Sequence, residues 1–287
     1  MELAIISGKG GTGKTTIASA LSELSSNKIG IDCDVDAPNF YLFYKGQDIK
    51  KNTFSGGKIA TIDSSICKNC GLCEAKCKFG AISDGVIKPF LCEGCGLCSL
   101  VCPFNAIQMK EEVTAHTFLT ETDQSMLSRA EMEIGSDGSG KLITQLRKEV
   151  KPYQSENRLT ILDGSPGIGC AVIASITAVD FVLLVTEPTQ SGLSDLKRIY
   201  ALCEHFGIKA MLCINKYDVH EEMTDTIKLF ANEKDIQVLG EIPYDNRVVE
   251  AINALKPITC YTDSSASRAI KAMWEKIKIN IKYEEEI

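Results

Sequence analysis

Eight cysteines between Cys67 and Cys102 fall into two runs of one spacing, and no other feature limits the fold of this chain so tightly. The first run is Cys67-x2-Cys70-x2-Cys73-x3-Cys77, and the second is Cys92-x2-Cys95-x2-Cys98-x3-Cys102, closed by Pro103. The repeat goes beyond the thiols. Ile66–Ile82 aligns with Leu91–Ile107 at a period of 25 residues, with Gly71-Leu72, Phe79 and Ala81-Ile82 answered by Gly96-Leu97, Phe104 and Ala106-Ile107. Disulfides belong to oxidising compartments, and the start Met1–Ile6 has no basic leader region, so a cytoplasmic location and bound metal are expected. Zinc sites built from paired C-x2-C units have a longer spacer and lack a third and fourth cysteine at these offsets. Four thiolates per run suit a [4Fe–4S] cubane.

Around this repeat the chain alternates apolar strand-like runs with helical patterns, which predicts a mostly parallel, doubly wound α/β sheet. Glu2–Ser7 reads as the first strand, with a helix from about Thr15 to Leu24 and a second strand ending at Asp32. Residues 158–163, 180–186 and 209–215 are further buried strands, Gly192–Phe206 and Thr224–Glu233 are helices, and Ala266–Ile277 closes the chain as a helix. The alternation stops from about Asp63 to Gln108, so residues 63–108 are expected to be a small α+β insert in a domain made of 1–62 and 109–287. Composition agrees with a well-cored chain: 44% hydrophobic and 24% charged residues, with no apolar run near the ~18 residues of a membrane span.

Directly after the first strand stands Gly8-Lys9-Gly10-Gly11-Thr12-Gly13-Lys14-Thr15-Thr16. Glycines let the backbone curl so that successive N–H groups meet phosphate oxygens, and the following helix adds the positive end of its dipole. Lys14 supplies charge to the β- and γ-phosphates, and the Thr15 hydroxyl can ligate Mg²⁺. Asp32 and Asp34 end the second strand, and Asp163 ends the apolar run Leu159–Leu162. Three acids at strand ends beside a phosphate loop point to one nucleotide site.

With Lys9 included, the loop resembles that of the MinD/ParA group of ATPases, to which the nitrogenase iron protein and the Mrp-type cluster carriers also belong. The resemblance implies ATP as the nucleotide and a homodimer closed around it, with Lys9 reaching the partner's nucleotide. It further implies that Asp34 orients the attacking water, that Asp32 lies near Mg²⁺, and that Asp163 holds the metal's water shell. Gly164–Gly167 becomes a second switch segment, and Asn215 contacts adenine. Asn215-Lys216-Tyr217-Asp218 also matches the NKxD signature for guanine, so Asp218 leaves GTP open.

The cysteine runs resemble those of two-cluster ferredoxins, in which the fourth cysteine of each run serves the other cluster. That resemblance implies one cubane on Cys67, Cys70, Cys73 and Cys102, and a second on Cys92, Cys95, Cys98 and Cys77. Lys78 stands where the family carries proline in the first run. ATPases with such an insert form a subgroup, and the stretch from Glu133-Ile134-Gly135 to Ser139-Gly140-Lys141-Leu142 looks like it.

Cys203 and Cys213 read as small buried hydrophobes. Cys33 and Cys170 flank the switches, where packing is preferred to a bridging metal site, and His116, His205 and His220 form no ligand set. The formal net charge of −7 disfavours nucleic acid and anionic lipid. Arg268–Lys282 is basic and apolar, but Glu284–Glu286 follows, so a packed final helix is expected and a membrane anchor is not. The expected function is an ATPase whose nucleotide state is coupled to electron transfer or metallocluster maturation on a redox or cluster-recipient protein. The alternative is a positioning ATPase whose clusters are structural or sense redox state.

Overall fold

The computed structural model describes residues 1–122, 125–136, 140–155 and 157–281. Ser139, within the stretch that resembles the subgroup, and Glu284–Glu286 near the end of the chain lie outside the described residues. The chain divides into two compact units, one of Met1–Lys51, Thr117–Glu131 and Gly138–Ile287, the other of Asn52–His116 and Met132–Asp137.

The first unit is organised by a nine-stranded sheet. Its strands are β1 (Glu2–Ser7), β2 (Lys28–Asp32), β3 (Gln47–Phe54), β8 (Ala115–Glu121), β9 (Ser125–Met132), β10 (Leu159–Pro166), β11 (Phe181–Thr186), β12 (Lys209–Asn215) and β13 (Gln237–Ile242). The intervening strands belong to the second unit: β4 (Gly57–Ile62), β5 (Ile82–Ser83), β6 (Val86–Ile87) and β7 (Ile107–Glu112). The sheet order is β13-β12-β11-β1-β10-β2-β9-β8-β3, and every pairing from β13 to β9 is parallel. Strands in such a sheet are buried on both faces, which is why they read as unbroken apolar runs. Leu3, Ile5, Leu159, Ile161, Leu183 and Met211 join one core cluster with α1 (Lys14–Leu24) and the closing helix, Ser265–Ile281. The alternate residues Ala4, Ile6, Leu162, Leu184 and Leu212 are equally buried on the opposite face. Met273, Trp274, Ile277 and Ile281 pack inward on the final helix, and among the described residues no helix is long and apolar enough to cross a membrane.

In the second unit the sequence repeat is also a backbone repeat. α2 (Leu72–Lys76) follows Gly71 at φ 74° and ends in Cys77 at φ −72°, ψ 109°. α3 (Leu97–Val101) follows Gly96 at φ 75° and ends in Cys102 at φ −74°, ψ 109°. β4 pairs antiparallel with β7, with Ala60 opposite Met109 and Ile62 opposite Ile107. This ladder draws 57–62 and 107–112 into the compact unit, which is therefore wider than the 63–108 span of the repeat. Asp84 and Gly85, at φ 52° and 76°, make the two-residue turn between β5 and β6, as a type I′ hairpin requires. Gly94 allows a close approach that no side chain could: a Cβ there would lie 2.2 Å from the Lys58 carbonyl oxygen.

Candidate functional site

The phosphate loop is held between β1 and α1 by contacts that leave its glycine face open. Gly8 lies so close to Asp195 that a Cβ would meet the Asp195 Cβ at 2.4 Å, whereas Gly10 and Gly11 face open space. Gly13 has φ 90°, and a Cβ there would strike the Asn215 amide at 2.5 Å. That amide donates to the Thr12 carbonyl at 2.8 Å, so the strand end of β12 clamps the loop. Lys14 is buried at the helix start, and the Thr16 carbonyl accepts from the Ser19 hydroxyl at 3.0 Å.

The three strand-end acids come together here. Asp32 and Asp163 are direct neighbours in the register of β2 and β10, and both are fully buried. The Thr15 hydroxyl donates to Asp163 Oδ2 at 2.6 Å, while Asp163 Oδ1 is buried with no donor. Burial pushes the Asp163 carboxyl up to about 6 against the opposing pull of Lys14 and Thr15. Asp32 is raised by burial and by the nearby Asp163, although it accepts from the backbone N–H groups of Phe40 at 3.0 Å and Asp34 at 3.3 Å. Asp34 is half-buried, raised by burial and pulled back by Lys14. A buried carboxylate oxygen without a donor is costly, and Oδ1 of Asp163 fits a donor from the hydration shell of a bound cation. The open loop beside it fits a polyphosphate.

Lys9 has a different neighbourhood from the rest of the loop. Its ammonium is tied within its own chain to Glu187 at 2.8 Å, Ser191 at 3.0 Å and Thr189 at 3.2 Å. Glu187 also meets Lys216 at 3.3 Å, and these two lysines hold its carboxyl below the ordinary range despite partial burial. Asp218 accepts from the Tyr244 N–H at 2.7 Å. The sequence reading missed Glu187, although an acid following the apolar strand β11 is the same signal that marked Asp163. Ser165, within the expected second switch, donates its hydroxyl to the Cys33 carbonyl, while the Cys33 N–H donates to the Asp163 carbonyl at 2.9 Å. These bonds join the chain just beyond β2 to the end of β10.

In the second unit the eight cysteines sort into two sets. Cys67, Cys70, Cys73 and Cys102 line one cavity, and Cys77, Cys92, Cys95 and Cys98 line another. Among the described residues, no three His, Cys, Asp or Glu side chains converge on a single metal-ion position. Backbone N–H groups point at the sulfurs, from Asn69 to Cys67 at 3.4 Å and from Ala106 to Cys102 at 3.3 Å. Burial, with Cys67 and Cys102 nearby, raises the Cys73 thiol; burial, with Cys92 and Cys95 nearby, raises Cys98. Four thiols around one cavity, with amide donors to Cys67 and Cys102 in the first set, fit a cluster of several irons.

Of the remaining cysteines, three are core residues, and the three histidines have partners of their own. Cys203, pushed up to about 12 by burial, and Cys213, also raised, are core residues, and Cys33 is buried. Cys170 is exposed. His116 pairs with Glu133 at 2.9 Å, His205 stacks edge-on against Phe206, and His220 caps the helix Glu221–Glu233.

Residues 3–258 match the family described as the CobQ/CobB/MinD/ParA nucleotide binding domain. An uncharacterized protein of Methanocaldococcus jannaschii is 36% identical over 97% of this chain and 96% of its own length. An iron-sulfur cluster carrier protein of Pyrococcus furiosus is 22% identical over 98% of this chain and 86% of its own. Among solved structures, the septum site-determining protein MinD of Pyrococcus horikoshii, complexed with Mg-ADP, matches with a TM-score of 0.61 at 18% identity, covering 99% of both chains.

Proposed function

The chain belongs to the CobQ/CobB/MinD/ParA family of nucleotide-binding domains, and from that premise we propose that it is an ATP-hydrolysing iron–sulfur protein whose nucleotide state governs electron transfer, or metallocluster maturation, on a partner protein. The observation that carries this reading is the sorting of eight repeated cysteines into two cavity-lining quartets. It is supported by a phosphate loop with Lys14, Thr15, Asp34 and Asp163 gathered beside it in the same chain.

In the proposed reaction Lys14 meets the β- and γ-phosphates of ATP and offsets the charge that builds on them. Thr15 and Asp163 are the side chains that would hold Mg²⁺ and its waters, the ion supplying charge neutralisation when bound. Asp34 orients a water toward the γ-phosphorus; the bond to the β-phosphate oxygen breaks, giving ADP and phosphate. Asn215 holds the loop in place and is the side chain that would contact the base. The match at Lys9 to the MinD/ParA loop supports ATP over GTP, and Asp218 Oδ1 accepts from the Tyr244 N–H at 2.7 Å. Homodimerisation around ATP would move Lys9 from Glu187 to the partner's nucleotide.

Cys67, Cys70, Cys73 and Cys102 would hold one [4Fe–4S] cluster, and Cys77, Cys92, Cys95 and Cys98 the other, supplying one-electron redox chemistry. Coupling is tested by measuring the cluster midpoint potentials of anaerobic protein with no nucleotide, with ADP and with a non-hydrolysable ATP analogue. A shift is expected, and linkage then requires ATP affinity to depend on redox state, a tenfold change corresponding to about 59 mV for one electron. Identical potentials in all three forms would leave an ATPase carrying a passive cluster module.

A further inference from the structure

We propose that Arg129 is a positioning residue, linking the segment after Asp34 to the strands that lead into the cysteine-bearing unit. The proposal rests on the coupled reading above and assigns the residue that carries the coupling. Arg129, on β9, is only 9% exposed. Its guanidinium lies 4.1 Å from the centre of the Phe118 ring on β8 and 5.0 Å from that of Tyr41. Its nitrogens donate to Glu131 on β9 at 2.6 Å and to Asp48 on β3 at 2.9 Å, and Asp48 also accepts from Thr120 on β8 at 2.6 Å. A planar guanidinium can meet aromatic faces and donate to carboxylates at its edge; a lysine ammonium cannot do both.

Tyr41 brings the nucleotide site to this cluster. It belongs to the single turn Phe40–Phe43, and the N–H of Phe40 donates to Asp32 Oδ2 at 3.0 Å. Phe40 stacks edge-on against Tyr44, with ring centres 5.1 Å apart, and the Tyr44 hydroxyl bonds Ser22 on α1 at 2.6 Å. The turn is thus tied both to the acid at the end of β2 and to the helix that begins at Lys14.

The strands around Arg129 are those by which the chain passes between its units. Lys51 is the last residue before the chain leaves the nucleotide-binding unit, Thr117 the first on its return, and Glu131 the last before it leaves again. Lys51 lies 5.1 Å from the Phe118 ring. One guanidinium therefore bears on three chain crossings and, through Tyr41, on the segment that follows Asp34. Coupling follows from this intermediate place when nucleotide biases the segment between two arrangements.

The test is amide hydrogen exchange on the full chain with and without a non-hydrolysable ATP analogue and Mg²⁺. Wild type should show altered exchange in 34–44 and also in 52–62 and 107–116. Arg129→Lys keeps the charge but loses the planar stack, and Tyr41→Leu removes one aromatic face while leaving both carboxylate contacts. In each variant the response in 34–44 should persist, and most of the response in 52–62 and 107–116 should be lost. Exchange across Leu3–Ile6 without nucleotide checks that each variant is folded, and Tyr41→Leu carries the test if Arg129→Lys is not. An undiminished response in the folded variants would overturn the proposal. If wild type responds in 34–44 and nowhere in 52–116, both this proposal and the coupling fail, while ATP binding stands.

Discussion

The nucleotide-binding unit and the cysteine-bearing unit achieve order by different means. In the first, apolar residues of β1, β2, β10, β11 and β12 are buried on both faces of one sheet, and the carboxylates of Asp32 and Asp163 are placed by strand register. In the second, α2 and α3 bury no residue at all, and among the described residues the core amounts to Ala60, Ala81, Ile82, Ala106, Ile107 and Ala115. A unit that small cannot exclude enough apolar surface to offset the entropy of ordering its chain. Metal–thiolate bonds are the means by which such units are stabilised. The nucleotide site should therefore exist before its ligand binds, while the cysteine unit should depend on its clusters.

The largest effect that could break this contrast is on catalysis. Lys14→Ala should lower ATP hydrolysis by roughly 10³-fold or more, since removing one positioned charge donor costs on that scale. Iron content should be unchanged, because Lys14 belongs to the other unit. Hydrolysis near the wild-type rate would mean that the loop does not handle phosphate. Next in size is loss of metal. Chelating the iron should open 52–116 to proteases while the nucleotide-binding unit stays resistant, and Cys70→Ala should lose one cluster and keep the other. Equal resistance before and after chelation would show that the small core suffices.

Asp163→Asn sharpens the contrast from the other side. The native carboxyl, raised to about 6, is tolerated best when neutral, so its contribution to stability is present below its ordinary value of 3.8 and lost as pH rises through 6. At pH 7 without nucleotide, the Asn variant should be more stable than wild type by on the order of 2 kcal/mol. The gain should vanish near pH 4, and hydrolysis should be lost at either pH. Denaturant melts at the two pH values check this. The smallest energy belongs to the Lys9–Glu187 pair. It is partly exposed, and contacts of that kind contribute about 0.2–1 kcal/mol. Glu187→Gln should raise the ATP-dependent dimer fraction slightly, and Lys9→Ala should bind ATP yet remain monomeric by sedimentation.

Much of this was legible in the sequence where local rules and fold agree. β1, β2, β10, β11 and β12 announce themselves as apolar runs because both their faces are buried, and the Gly-rich loop marks its own strand and helix. β3, Gln47–Phe54, was illegible because six of its eight residues are exposed and the other two partly so, in the polar run QDIKKNTF. β8 and β9 carry Thr, Ser and Arg in the interior. Those strands are ordered by pairing between distant segments, which no local pattern encodes. The two cysteine runs were legible as a repeat and the exchange of their fourth members only through the resemblance to two-cluster ferredoxins, whereas the cis contacts of Lys9 depend on Glu187, far along the chain, and could only be seen once β11 lay beside β1.

Iron, acid-labile sulfide and zinc, measured together on anaerobically purified protein, decide most directly whether two quartets of cysteine hold two cubanes in an ATPase chain. The expected result is about eight iron and about eight sulfide per chain, with no stoichiometric zinc. Stoichiometric zinc without sulfide would contradict it.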